Sequence, residues 1–192
     1  MSTTPPPWEP PLAGSEAEQL LGSLDRMRAT FRYKVDGLDA EGLRATIPSS
    51  TLSLAALLKH LASVEDFYST QRLSGTPMPD VWDDNGWDDE DDWEMTSAAS
   101  DPPEDLYALY DGAVERNRAR VREAVAERGL GGAAHASDGE GRHASIRRLL
   151  FDLLEEYGRH TGHADLLREA VDGRVGEDPS ADWHLPEAWT GA

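Results

Sequence analysis

The chain has 192 residues, 39% of them hydrophobic, and a formal net charge of −19 at pH 7. This length suits one well-buried domain, and the negative charge argues against nucleic acid or an anionic membrane as a partner, because phosphates would be repelled. The absence of cysteine excludes disulfides, thiolate metal ligands and a cysteine nucleophile. Since no signal peptide and no run of about 18 apolar residues is present, we expect a soluble, cytoplasmic protein.

Four long helices are predicted, because apolar residues recur at helical spacing in four segments of the chain. The segments are about 15–35, 52–73, 101–129 and 145–173. A proline-rich extended arm (1–14) precedes them and a tail (177–192) follows, so the predicted domain spans 15–176. The connections of about 16 and about 30 residues are long for a compact domain and suggest crossovers or a functional loop. The predicted fold is therefore all-α, a four-helix bundle with long crossover connections.

Local signals mark the ends of three of these helices. Ser15 and Glu18 form a capping box at the start of the first helix. Asp101, followed by two prolines, is the predicted N-cap of the third helix. Gly173 suits the left-handed cap that ends the fourth.

The connection between the second and third helices, residues 75–101, contains the acidic stretch PDVWDDNGWDDEDDWEM. Its acids run from Asp80 to Glu94 without a basic residue, and tryptophans lie among them. These are Trp82, Trp87 and Trp93. A lid over a site, a calcium-binding loop and a solvated loop pinned by its tryptophans are the alternative interpretations. The spacing of the acids departs from the EF-hand pattern, which argues against calcium.

The fourth helix places polar residues where core leucines are expected. A stripe with spacings of three and four residues runs along one of its faces. It consists of Ile146, Leu149, Leu153, Glu156, His160, His163 and Leu167. Titratable groups on an inner face are costly unless they are satisfied, either by mutual hydrogen bonds or by a metal ion. Glu156 and His160 have the spacing of two ligands on one helical face.

A third ligand is expected from the second helix, in the segment LLKHLASVE. His60 has helical spacing with Leu57 and Val64, so it borders or enters the apolar face. With Glu156 and His160 it would form a set of two histidines and one carboxylate that leaves a coordination position for water or substrate. The alternatives are a hydrogen-bonded core histidine and a glutamate paired with an arginine.

These segments resemble the DinB-like superfamily, in particular its mycothiol-dependent maleylpyruvate isomerase-like branch, which includes many domains of unknown function. The similar parts are LSLAALLKHLASVED, the acidic loop, and SIRRLLFDLLEEYGRHTGHADLLREAVDGRVG, and the resemblance covers most of residues 15–176. It implies a four-helix bundle with a divalent metal held by His60, Glu156 and His160. Zinc is expected for nitrogen and oxygen ligands, with nickel or iron as alternatives.

This chain departs from the branch at Asp152, where similar sequences carry a histidine one turn before the glutamate. Asp152 is a candidate fourth ligand, a surface acid, or the interpretation we favour, a hydrogen-bond acceptor for a ligand histidine. His163 is a candidate partner of a ligand or substrate contact, or a hydrogen-bonded residue at the mouth of the bundle. Glu65 is expected to be structural. The remaining histidines are expected to be exposed: His135, His143 and His184.

The resemblance implies a metal-dependent enzyme that uses a low-molecular-weight thiol such as mycothiol as cosubstrate. The metal would activate the thiol or water for thiol transfer or conjugation to an electrophile, or for isomerisation. A metal-dependent hydrolase is a further enzyme interpretation. The alternatives are a non-catalytic metal-binding or stress-related interaction protein, and a bundle without metal. A homodimer is compatible with bundles of this type, although no exposed apolar helix face indicates one.

Overall fold

The computed structural model describes residues 5–83, 92–176, 178–180 and 182–190. Its helices are α1 (Glu16–Val35), α2 (Ala40–Arg44), α3 (Leu54–Phe67), α4 (Trp93–Ser97), α5 (Pro103–Arg128) and α6 (Ile146–Asp172). An antiparallel hairpin of β1 (Ala133–Ser137) and β2 (His143–Ser145) joins α5 to α6. Short 3-10 turns occur at Asp80–Trp82, Ala98–Ser100 and Glu187–Trp189, and a π-helical turn, Tyr68–Arg72, extends α3. The predicted all-α class is confirmed.

Helices α1 and α6 pack along each other in the same direction. Near their starts, Arg147 of α6 donates two hydrogen bonds to Glu16 of α1, at 2.6 and 3.0 Å. Near their ends, Arg168 of α6 donates to the carbonyl of Lys34 at 2.9 Å. The two helices therefore begin at the same end of the bundle.

Helices α3 and α5 are also parallel neighbours. Arg116 of α5 donates to Asp66 of α3 at 2.7 Å, and one turn later Arg120 contacts Ser69 at 3.3 Å. A chain that joins parallel neighbours has to return along the length of the bundle. This accounts for the long connection between α3 and α5 and confirms the predicted crossover there.

The apolar stripes predicted from helical spacing form the core. The buried residues at these spacings include Leu20, Leu24, Phe31, Val35, Leu54, Leu57, Leu61, Leu106, Tyr110, Ala113, Val121, Ile146, Leu149, Leu153 and Leu167. No helix in the described part of the chain combines the length and the apolar character needed to cross a bilayer.

Two helix ends differ from the prediction. The last turn of the second helix is π-helical, because the hydroxyls of Ser69 and Thr70 both donate to the carbonyl of Asp66 and disturb the regular backbone pattern. The predicted capping role of Asp101 is wrong. Pro102 precedes α5 without a side-chain cap, and the Asp101 carboxylate instead accepts a hydrogen bond of 2.7 Å from the buried ammonium of Lys59. A buried ammonium is stable only with a counter-charge, so the Asp101 carboxylate points towards Lys59 and away from the start of α5.

The other predicted caps are present. Ser15 and Glu18 form the capping box of α1, and Gly173 ends α6 in the left-handed region with φ of 77°. The arm and the tail meet beside the bundle, where the rings of Trp8 and Trp183 pack edge to face with centroids 5.5 Å apart.

A buried ion pair connects all four long helices. Arg28 of α1 donates two hydrogen bonds of 2.7 Å to the two carboxylate oxygens of Glu65 in α3. Tyr157 of α6 donates to the same carboxylate at 2.6 Å, and Asn117 of α5 accepts from Arg28 and donates to the Glu65 carbonyl. Burial alone would lower the pKa of Arg28, but the charge and hydrogen bonds of Glu65 raise it above its ordinary value. Arg28 is therefore a buried cation.

We expect Glu65→Ala to destabilise the fold by about 3–5 kcal/mol, because it removes the buried carboxylate that accepts two hydrogen bonds from Arg28 and leaves only the partly exposed Asp25, at 3.0 Å, as a counter-charge. Urea unfolding followed by circular dichroism measures this loss. Glu155→Ala, which removes an exposed carboxylate from α6, is the control and should leave the midpoint nearly unchanged. Equal midpoints for the two variants would show that the ion pair does not stabilise the bundle.

Candidate metal centre

Helix α6 supplies two candidate ligands from one face. It is continuous from its cap at Ser145 to Asp172, so Glu156 and His160 lie one turn apart. Nε2 of His160 is 3.2 Å from Oε2 of Glu156. Two ligand atoms that each lie about 2 Å from a tetrahedral zinc ion are separated by roughly 3.3 Å, so this pair has the spacing that such an ion requires.

Helix α3 brings His60 to the same place from across the bundle. The rings of His60 and His160 lie edge to face with centroids 4.8 Å apart. One ligand atom from each of His60, Glu156 and His160 lies within 4.8 Å of the other two. The structure thus brings together the three residues predicted as ligands, and the donor set suits a divalent ion. Metal binding itself stays a prediction.

Burial decreases across the three residues. The side chain of His160 is 11% exposed, that of His60 21%, and that of Glu156 30%. Burial lowers the pKa of His160 from 6.5 to about 4, and the neighbouring His60, His163 and Arg159 act in the same direction. His160 is therefore neutral at pH 7 with a lone pair available to a metal, and Glu156 is the most exposed of the three side chains.

The two remaining candidates of α6 have different surroundings. Nδ1 of His163 lies 3.4 Å from Nδ1 of His160, on the opposite side of the ring from Glu156. Asp152 accepts a hydrogen bond of 2.6 Å from Arg148. Within the described part of the chain, Asp152 contacts neither His60 nor His160, so the structure does not bring it to a ligand histidine.

Sequence reasoning missed a contact that the structure shows at Nδ1 of His60. Oε1 of Glu94 in α4 lies 3.1 Å from Nδ1 of His60. The hydrogen bond to His60 lowers the pKa of Glu94. Glu94 belongs to the acidic stretch noted in the sequence, but it is 34 residues from His60, and no helical spacing relates the two.

Two tryptophans of the acidic connection pack on α3. The indole nitrogen of Trp82 donates to Asp66 at 2.9 Å, and the Trp93 ring lies 3.9 Å from Nζ of Lys59. Trp87 and most of the acids that motivated the calcium interpretation lie outside the described residues. The three histidines that were expected to be exposed are exposed in the structure: His135, His143 and His184.

We expect the metal-free protein to lose stability as the pH falls from about 6.5 towards about 4. The pKa of His160 is lower in the folded protein than its ordinary value, so the unfolded chain takes up a proton that the folded chain resists. Urea unfolding of the chelator-treated wild type and of His160→Gln across this pH range isolates the effect. The variant should show a shallower decline, and parallel curves would contradict the lowered pKa.

Comparison with known proteins places the chain in a family. The family model described as mycothiol-S-transferase matches residues 19–173, which include α1 to α6 apart from the first three residues of α1. A search of curated proteins gave no match. The resemblance to the DinB-like, mycothiol-related group is thereby confirmed, and this chain belongs to the mycothiol-S-transferase family.

Proposed function

We propose that this protein is a metal-dependent transferase that joins the thiol of mycothiol to an electrophilic substrate, with His60, Glu156 and His160 as the metal ligands. The family match supports the mycothiol-related transferase chemistry. The single observation that carries the metal dependence is the approach of three ligand atoms to within 4.8 Å of one another.

The ligand set suits a divalent first-row metal. Two neutral imidazoles and one carboxylate offer nitrogen and oxygen donors, for which zinc is the expected ion and nickel or iron the alternatives. Three protein ligands leave a coordination position free for a small molecule. A divalent ion bound there would lower the pKa of a coordinated thiol, so that a thiolate forms near neutral pH.

The protein's own side chains prepare the site for this chemistry. Nε2 of His160 faces Glu156, and its Nδ1 faces His163, so a proton on Nδ1 leaves the Nε2 lone pair directed at the ligand cluster. His160 forms the buried floor of the site, while the more exposed Glu156 and His60 border its open side.

The thiol has to come from the cosubstrate, because the chain contains no cysteine. In the proposed transfer, the sulfur–hydrogen bond of mycothiol breaks and a sulfur–carbon bond forms with the electrophile. The displaced group leaves with the electron pair of its former bond to carbon, and the thiol proton is released to solvent or to that group.

We expect about one equivalent of divalent metal in protein purified without chelators, because the described residues form a single three-ligand cluster. Glu156→Gln and His60→Ala should lose most of it, whereas Glu155→Gln, which alters the neighbouring exposed acid on the same helix, should retain it. Elemental analysis after growth in medium containing zinc, nickel and iron is the measurement. If the wild-type protein contains no metal after this growth, the proposed metal dependence is wrong.

Activity tests separate the transferase from its alternatives. With mycothiol and chlorodinitrobenzene as probes, we expect chloride release that requires the thiol and is lost in Glu156→Gln but kept in Glu155→Gln. Metal binding without turnover of any electrophile in a panel would favour a non-catalytic metal-binding protein. Turnover of ester or amide probes without any thiol would instead favour a hydrolase.

A further inference from the structure

We propose that Glu94, in the acidic connection between α3 and α5, is a positioning residue that fixes the tautomer and orientation of His60 at the candidate metal centre. This inference rests on the proposed function, since the orientation matters for metal binding. It gives the acidic connection a role beyond that of a solvated loop. Glu94 contacts His60 and none of the other candidate ligands, so its role is positioning rather than catalysis.

The direction of the hydrogen bond follows from the chemistry of the two groups. An ionised carboxylate has no hydrogen to donate, so the imidazole nitrogen that faces it must carry one. Oε1 of Glu94 faces Nδ1 of His60 at 3.1 Å. The hydrogen of a neutral His60 is thereby assigned to Nδ1, and Nε2 keeps its lone pair for a metal. Metal-binding histidines usually donate their second N–H to a carboxylate or carbonyl in this way.

Glu94 is held in place by its neighbours on α4. The ammonium of Lys59, the residue before His60, lies over the ring of Trp93 at 3.9 Å and donates to Ser97 at 2.8 Å. Lys59 is 5% exposed and also pairs with Asp101 at 2.7 Å. Lys59 thus contacts both ends of α4, at Trp93 and Ser97. The next residue of α3, His60, contacts Glu94 between them.

The burial of Glu94 distinguishes it from an ordinary surface acid. Its side chain is 13% exposed, compared with 30% for Glu156, the candidate ligand. A carboxylate that is largely withdrawn from water requires a hydrogen-bond donor. His60 provides that donor, so the contact satisfies Glu94 while it orients His60.

The test compares Glu94→Ala with Asp92→Asn. Asp92 is an exposed acid two residues away, and asparagine tolerates its left-handed backbone conformation, with φ of 58°. Zinc affinity of chelator-treated protein is measured by competition with a chromogenic chelator. We expect affinity about 10–100-fold weaker in Glu94→Ala, unchanged affinity in Asp92→Asn, and partial recovery in Glu94→Gln, whose amide oxygen still accepts a hydrogen bond.

A second readout does not require metal. In nitrogen-15 spectra of metal-free protein, neutral His60 should carry its hydrogen on Nδ1 in the wild type and become a mixture of tautomers in Glu94→Ala. Circular dichroism checks that the variants fold, and Glu94→Gln serves if the alanine variant does not.

The outcomes separate the two proposals. If the wild type binds none of zinc, nickel and iron but its His60 tautomer depends on Glu94, the positioning role stands and the proposed function fails. If wild type and Glu94→Ala bind zinc equally and share one His60 tautomer, the positioning role is overturned and the metal site stands. Equal weakening by Glu94→Ala and Asp92→Asn would also overturn it, because the effect would then follow from charge alone.

Discussion

The buried contact among Arg28, Glu65 and Tyr157 sets the register of the helices that carry the candidate ligands. Glu65 lies five residues after His60 on α3, and Tyr157 lies three residues before His160 on α6. Because these helices are antiparallel at this point, joining Glu65 to Tyr157 also brings the two histidines face to face. A slip of one helical turn, about 5.4 Å, would separate Glu65 from its partners and leave the buried Arg28 with only Asp25 of its own helix as a counter-charge.

Core residues and candidate ligands alternate along the middle of α6. Tyr157 points into the core and is fully buried, whereas the adjacent Glu156 is partly exposed beside His160. The ion pair therefore fixes the backbone, while local contacts orient the individual ligands. His163 lies beside Nδ1 of His160, whose Nε2 faces Glu156, and Glu94 lies beside Nδ1 of His60. The geometry of the site therefore depends both on the buried ion pair and on the local contacts of each candidate ligand.

The sequence by itself determined the helices, the core faces and the three candidate ligands that cluster. These features depend on short-range patterns, because apolar spacing decides which helical face is buried and capping residues decide where a helix begins. Glu156 and His160 were recognisable since they interrupt an apolar stripe one turn apart. His60 was recognisable because it lies at the edge of the corresponding face of α3. A resemblance to a known group of bundles connected the two segments.

Only the tertiary structure decided which distant side chains meet. Glu94 reaches His60 from 34 residues away, Asp101 pairs with Lys59 instead of capping α5, and Asp152 pairs with Arg148 instead of a ligand histidine. The physical reason is that a charged side chain can pair with several oppositely charged or polar groups. Some of them are close in the sequence, and others lie on segments that fold beside it. Which partner it takes depends on helix register and on the path of the acidic connection, and neither follows from a local pattern of residues.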